Sequence, residues 1–393
     1  MSNVLFINGN LHGHINPTLP IVKELVAQGE TVYYCSTSEF QQRIEATGAN
    51  FINYGHRVDQ FLQSFRPHGN HPFYTLMEYI LGMDLTVVAS VIELAEHLQF
   101  DYIIHDIMFG GGNILAHKLG IPAIASCSSF VMEKLPLPDR MLEPGFHPQL
   151  DHLLDQLKLA KSEWSLPTLR ISELFFKKEA LNLVYTSKLF QPKSDCLDNS
   201  YCFVGPSIDS RNEELDFELS HEHKTIYISM GTIENKCIDF YNRCIEAFAN
   251  TDYQVIMSIG KRTQMSDLHQ IPDNFIIRDY IPQLEVLKHA DIMISHGGLN
   301  SVSEALYFGV PIIAIPISND QPAVAKRLVE LGAGIGLKMD EITAEVLQSN
   351  VYTILANKHY RIQSAEIGDS FREAGGYKSA VEAIIKYKSI HHI

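Results

Sequence analysis

At 393 residues, with 46% hydrophobic and 20% charged residues, the chain is too long for one ordinary core and has the composition of a soluble globular protein of two or three domains. A formal net charge of −15 excludes a protein held to nucleic acid or to an anionic membrane by electrostatics. No uncharged apolar run of about 18 residues appears, and MSNVLFINGN lacks a basic n-region and a cleavage site, which predicts a cytoplasmic protein without stable membrane association.

In chain order, VLFIN reads as a strand, followed by a glycine-bearing loop, the helix-like INPTLPIVKELVAQG and a second strand, ETVYYCS. Residues 56–82 read as loops and helical pieces, and 84–98 (DLTVVASVIELAEHL) as an amphipathic helix. YIIHD is a short strand, GGGNILAHKLG a helix and IPAIASCSS the next strand. Pro136, Pro138, Pro144 and Pro148 break any regular element. NLVYTS and YCFVGPSID lead into the acidic stretch RNEELDFE, which reads as an interdomain linker. The second half repeats the pattern with TIYISMG, a helix over 237–250, YQVIMSIG, NFIIRDY, a short helix and DIMISHGG. Strands alternating with helices at this spacing predict an α/β chain with parallel sheets covered on both faces.

Cys35, Cys127, Cys196, Cys202, Cys237 and Cys244 are scattered without metal-ligand spacing and read as reduced. No metal-ligand cluster is visible among the 18 histidines either, so no metal site is expected.

The densest chemistry lies in ISHGGLNSVSEALYFGVPIIAIPISNDQ, residues 294–321. Gly297 and Gly298 permit close backbone approach, Asn300 and Ser301 suit a helix start, and amides there would point at an anion. His296 could add a donor to the same oxygens. Glu304, one turn past Ser301, faces the same side, where a carboxylate can accept from a ribose diol. Asp320 and Gln321 follow an apolar run that reads as a buried strand, at the sheet edge where ligands bind in open α/β folds. A diphosphate bound by an acidic chain needs such local attraction; Lys261 and Arg262 are further candidates, though both read foremost as a solvated basic loop.

In the first half, His14 in NLHGHINP follows the first strand and precedes a helix containing Pro17. A hydroxyl is a poor nucleophile until its proton is taken, and histidine, with an ordinary pKa of about 6.5, suits that task. Asp106, ending YIIHD, is the carboxylate able to orient it; each residue taken alone also reads as a helix cap. His12 precedes the motif, and His105 points to the opposite face of its strand from Asp106.

The segment YIPQLEVLKHADIMISHGGLNSVSEALYFGVPIIAIPISNDQ (280–321), with GHINP, the HD pair at 105–106 and YISMGT in the same order, resembles the nucleotide-sugar-dependent small-molecule glycosyltransferases of family 1, in their bacterial macrolide-glycosyltransferase-like branch. The resemblance covers nearly the whole chain. It implies a GT-B fold of two facing Rossmann-like domains with an interdomain cleft: an acceptor-binding domain at 1–208, a nucleotide-sugar donor-binding domain at 209–374, and a terminal helix at about 375–393 packing back onto the first. It implies that His14 is the base and Asp106 its partner, that His296, Gly298, Asn300, Ser301 and Thr232 contact the donor phosphates, and that Glu304 holds the ribose. Asp320 and Gln321 would grip the sugar, and Tyr280, Ile281 and Gln283 complete the donor site, with Tyr280 standing where plant relatives have a tryptophan stacked on uracil. Thr232 alone reads equally as a capped strand end.

The implied reaction is an inverting displacement that moves a hexose, glucose from UDP-glucose foremost, to a hydroxyl of a small hydrophobic acceptor such as a flavonoid, phenol or macrolide. UDP-sugar is then a co-substrate, no cofactor is tightly bound, and His296 with helix amides stabilises the leaving diphosphate without magnesium in principle. A monomer is expected. A UDP-sugar 2-epimerase of the same fold and a lipid-acceptor glycosyltransferase are the alternatives. Acceptor-pocket candidates are Phe61, Phe65, Phe73, Tyr74, Met77, Ser128, Ser129, Phe130, Met132 and Leu135, a set that core packing and turn serines explain equally well.

Overall fold

The strands are short apolar runs such as NVLFI and IMIS, buried almost throughout, as parallel strands covered on both faces must be. The computed structural model describes residues 1–393 apart from 95, 133–136, 166–170, 172–175, 210–212 and 232–234. By contacts it divides into two units, one of residues 1–185, 193–207 and 375–393, the other of residues 186–192 and 208–374. Residues 211 and 212 of the acidic stretch lie outside the described residues.

In the first unit, β1 (Asn3–Ile7), β2 (Thr31–Ser36), β3 (Asn50–Asn53), β4 (Tyr102–Asp106), β5 (Ala123–Cys127), β6 (Leu181–Val184) and β7 (Tyr201–Phe203) form one sheet. Their order is β3-β2-β1-β4-β5-β6-β7, with parallel pairing. The order reverses between β1 and β4, the crevice where doubly wound folds bind ligands beyond their strand ends. The connecting helices are α1 (His12–Ile15), α2 (Leu19–Ala27), α3 (Gln41–Glu45), α4 (Gly55–Ser64), α5 (Pro72–Leu94), α6 (Gly112–Leu119) and α7 (Pro148–Trp164). The terminal helix Gly376–His391 belongs to this unit: Ala380, Val381, Ile384 and Tyr387 join the core with Val4, Phe6 and Leu25, and Tyr387 donates its hydroxyl to the Ala123 carbonyl at 3.0 Å.

Two expectations are corrected here. The helix read at 84–98 is α5, which starts at Pro72, a residue preorganised for a first helical position, and ends at Leu94. Gly82 does not break it, because its bare Cα admits the Phe61 ring; a Cβ would stand 2.5 Å from Phe61 Cε2. Pro148, read as a breaker, opens α7, with the His147 ring accepting the Gln149 amide hydrogen as a cap. Among the described residues α5 is the helix long and apolar enough to cross a membrane, yet it is a packed element of this unit, with Tyr74, Met77, Glu78 and Asp84 buried.

In the second unit, β8 (Thr225–Ser229), β9 (Gln254–Ser258), β10 (Phe275–Arg278), β11 (Ile292–Ser295), β12 (Ile312–Ala314) and β13 (Gly334–Gly336) run in the order β10-β9-β8-β11-β12-β13, again parallel. The switch lies between β8 and β11. The helices are α8 (Ile238–Phe248), α9 (Gln283–Leu287), α10 (Leu299–Tyr307), α11 (Gln321–Glu330), α12 (Ala344–Ala356) and α13 (Lys358–Glu373). Ile226, Ile228, Ile292 and Ile294 from the two central strands pack with Phe240, Phe248 and Leu347 from α8 and α12.

Candidate active site

At the first switch point the loop after β1 leads straight into α1, which carries His14, and β4 ends on Asp106. Gly9 is required in that loop, since a Cβ would stand 2.9 Å from the Phe109 ring. Asp106 is fully buried, and its oxygens are divided. Oδ1 accepts the amide hydrogens of Met108 (2.7 Å) and Phe109 (3.2 Å); Oδ2 lies 2.5 Å from Nδ1 of His14 and accepts a longer bond from Gly9 (3.4 Å). Burial pushes this carboxyl up, but the charge and hydrogen bond of His14, with the Met108 and Phe109 amides, outweigh it and hold Asp106 below the usual carboxylate range. The carboxylate is therefore ionised near neutral pH.

Ser128 Oγ lies 2.8 Å from the same Nδ1, the Phe109 ring stands edge-on to the imidazole at 5.3 Å, and Asn8 donates to the His14 carbonyl at 2.8 Å. The His14 side chain keeps 15% exposure, so it is held in place yet reachable. His12 and His105 turn elsewhere: His12 Nε2 meets Glu39 at 3.2 Å and His105 Nε2 meets Glu179 at 3.0 Å.

Two residues that sequence reasoning passed over brace this loop. Lys177 pairs with Asp84 in the interior and donates to the Met108 carbonyl at 2.6 Å; burial pushes the Asp84 carboxyl up, against Lys177 and the nearby Gly110 and Gly111 amides, which favour its charged form. The local signal was a carboxylate, Asp84, standing among apolar neighbours on a helix.

The acceptor candidates are not all alike. Phe61 and Phe65 cluster with Tyr79 at centroid distances of 5.3–5.9 Å. Met77 and Tyr74 are buried against Leu150 and Leu153 of α7, with Phe73 packed alongside. Phe130 is buried and Met132 exposed; Ser129 donates to the Met108 sulfur at 3.9 Å. Leu135 lies outside the described residues.

At the second switch point β8 runs into Met230 and Gly231, and β11 into His296 and Gly298. Thr232 lies outside the described residues. The His296 ring fills the space that side chains on both glycines would need: a Cβ on Gly231 would stand 2.6 Å from its Cε1, and one on Gly298 2.6 Å from its Nε2. Burial pushes His296 down to about 4, against a backbone hydrogen bond to Ser229 that raises it, so the ring is neutral at pH 7. Gly297 holds a left-handed φ of +83°, and Gly298 caps α10, whose first turn carries Asn300 and Ser301.

Glu304, on the next turn, is mostly buried and accepts from Gln283 Nε2 at 2.6 Å; Gln283 in turn accepts the Tyr227 hydroxyl at 3.3 Å. Ile281 is buried, whereas Tyr280 is 60% exposed and donates its hydroxyl to Glu213 at 2.7 Å. Asp320 caps α11. The Gln321 side-chain oxygen is committed to the loop before it, accepting the amide hydrogens of Ile317 (2.7 Å) and Ser318 (3.0 Å), which leaves its amide nitrogen as the group to offer a ligand. Lys261 and Arg262 are exposed after β9.

Residues 242–374 match the family described as erythromycin biosynthesis protein CIII-like, C-terminal domain. Over 391 residues, 98% of both chains, the sequence is 36% identical to the uncharacterized UDP-glucosyltransferase YdhE of Bacillus subtilis. It is 27% identical over 382 residues to the oleandomycin glycosyltransferase of Streptomyces antibioticus, covering 95% of this chain and 88% of that one. The crystal structure of CalG4, the calicheamicin glycosyltransferase, superposes with a TM-score of 0.87 at 24% identity, covering 99% of this chain and 98% of the other, a likeness of fold. With two doubly wound parallel sheets and a full-length relative at this identity, the chain is an enzyme of the family 1 nucleotide-sugar-dependent glycosyltransferases, of GT-B fold and macrolide-glycosyltransferase type.

Proposed function

We propose that the enzyme transfers a hexose, glucose from UDP-glucose foremost, to a hydroxyl of a small hydrophobic acceptor of natural-product type, with inversion at the anomeric carbon. The observation that carries this reading is the 2.5 Å contact between His14 Nδ1 and a buried, ionised Asp106. A carboxylate there keeps the ring proton on Nδ1, makes Nε2 the basic nitrogen, and stabilises the imidazolium that forms. As the acceptor oxygen bonds to the anomeric carbon, its proton passes to Nε2 of His14, and the bond from that carbon to the diphosphate oxygen breaks with its electron pair leaving on the diphosphate.

In the second unit a neutral His296 and the α10 amides would donate to that leaving group, with Asn300 and Ser301 on the same turn and Thr232 as the further phosphate contact that the resemblance implies. Glu304, braced by Gln283, would accept the ribose hydroxyls; Asp320 and the Gln321 amide would meet the sugar; and Tyr280 would cover the base. The acceptor class is supported by the name of one relative, the oleandomycin glycosyltransferase.

The test crosses UDP-glucose, UDP-galactose and a dTDP-hexose with a phenol and a macrolide and reads added hexose by mass spectrometry. UDP-glucose with at least one acceptor is expected to give product, and His14→Ala to abolish it while UDP affinity stays within about twofold. Wild-type turnover in His14→Ala would overturn the assignment of the base.

A further inference from the structure

The histidines lack metal-ligand spacing in the sequence, yet the fold gathers two of them around one carboxylate, against the expectation of no metal-ligand cluster. His68 lies in the loop before α5, Glu78 in the second turn of α5 and His152 in the second turn of α7. The packing of Tyr74, Met77, Ile80 and Leu81 against Leu150, Leu153 and Leu157 sets the two helices so that Glu78 and His152 face each other.

The Glu78 side chain is 2% exposed, and its oxygens differ. Oε2 accepts the His68 amide hydrogen (3.1 Å) and Gln149 Nε2 (3.0 Å). Oε1 is buried with no hydrogen-bond partner, and so is Nδ1 of His152. The two atoms are 3.4 Å apart, and Nδ1 of His68 stands 3.5 Å from the same oxygen, but no N–H is aimed along either line. All three atoms lie within 4.8 Å of one another. A buried carboxylate oxygen and a buried imidazole nitrogen left without partners at one point are rare in a native fold, because each keeps its full cost of desolvation.

One cation would satisfy both. Zinc–nitrogen and zinc–oxygen bonds of about 2.0–2.2 Å in a tetrahedron separate neighbouring donors by about 3.3–3.5 Å; the two contacts to Oε1 are 3.4 and 3.5 Å. Both Nδ1 atoms face Oε1 of Glu78, and the rings of His68 and His152 stack at 3.4 Å with 24° between their planes, so one of these rings turns out of the stack when both nitrogens aim at one ion. Both side chains are partly exposed, at 51% and 35%, which provides the entry path and leaves a fourth position for water. Two imidazoles and one carboxylate suit zinc, cobalt, nickel or copper; calcium and magnesium call for oxygen donors.

We propose that His68, Glu78 and His152 form a binding site for a divalent transition-metal ion of the zinc class, which ties the loop between α4 and α5 to α5 and α7. None of the three is a residue assigned to the base or to donor binding, and the ion's role is to stiffen the acceptor-side helices rather than to enter the reaction.

The experiment titrates the chelator-treated, tag-free full chain with Co2+ and follows visible absorption and the melting temperature. Wild type is expected to take up one equivalent with the intense visible band of tetrahedral cobalt, to lose the band when Zn2+ is added, and to melt higher with Zn2+ but not with Mg2+. His152→Ala and, independently, His68→Ala should lose both the band and the zinc-dependent rise while still binding UDP. No band in the wild type after several equivalents of Co2+, or a band of undiminished intensity in both variants, would overturn the proposal.

Discussion

The imidazole of His296 rests directly on Gly298: a single methyl group there would stand 2.6 Å from Nε2. Gly298→Ala must therefore displace the ring from the place where it would meet the donor diphosphate. Hydrogen bonds to charged groups contribute about 1.5–3 kcal/mol, so UDP should bind roughly 10- to 100-fold more weakly to this variant, measured by calorimetry. Affinity equal to wild type would detach His296 from diphosphate binding.

His296 also ties stability to pH. Its folded value of about 4 lies below the ordinary histidine value of about 6.5, so the unfolded chain binds a proton more readily than the folded one. The stability this group preserves is complete above about pH 6.5 and is lost as pH falls through 4. Between pH 7 and pH 4.5 the loss should be roughly 2–3 kcal/mol. His296→Asn should lose correspondingly less over that interval by calorimetric melting. Asp106, held below its ordinary range, adds its own loss as pH falls through the ordinary carboxylate range and on through its lowered folded value.

Asp106→Asn keeps the shape of the site and removes the charge that, in the proposed mechanism, fixes the His14 proton on Nδ1. A positioned general base contributes about 10²–10⁴ in rate. The variant should lose turnover on that scale, with the donor KM little changed, in a steady-state assay. A parallel fall in donor affinity would point instead to collapse of the loop.

Lys177 and Asp84 form an interior ion pair behind that loop. Removing one partner strands the other charge, and such losses run to about 3–5 kcal/mol. Lys177→Met should destabilise by that order in chemical denaturation. Adding Asp84→Asn should restore part of the loss, because no buried charge is then left alone.

The parallel architecture was legible because each buried strand is an apolar run with turn residues at its ends, as in NVLFI and IMIS. His14 and Asp106, 92 positions apart in sequence, could be paired only because each sits in a local pattern that the resemblance supplied. Where no local pattern exists, the reading failed. Asp84 and Lys177 lie 93 residues apart, and His68, Glu78 and His152 meet only after α5 and α7 pack. The helix α7 was missed because proline marks both a break and a helix start, and local composition does not separate the two. Sequence could not divide the two ends of the Gln321 amide: its side-chain oxygen accepts the Ile317 and Ser318 amide hydrogens, and its nitrogen is the end proposed to meet the sugar.

Residues 186–192 belong by contacts to the second unit although the chain on either side belongs to the first. Within that unit Phe190 stacks edge-on against Phe371 at 5.7 Å, Ser187 meets Ser370 at 2.8 Å, and Arg327 donates to the carbonyls of Leu189 (2.7 Å) and Phe190 (3.1 Å). Subcloning that half from residue 208 onward would strip an aromatic neighbour from Phe371 and two acceptors from a guanidinium, so a domain swap between relatives should carry the heptapeptide along with the donor half.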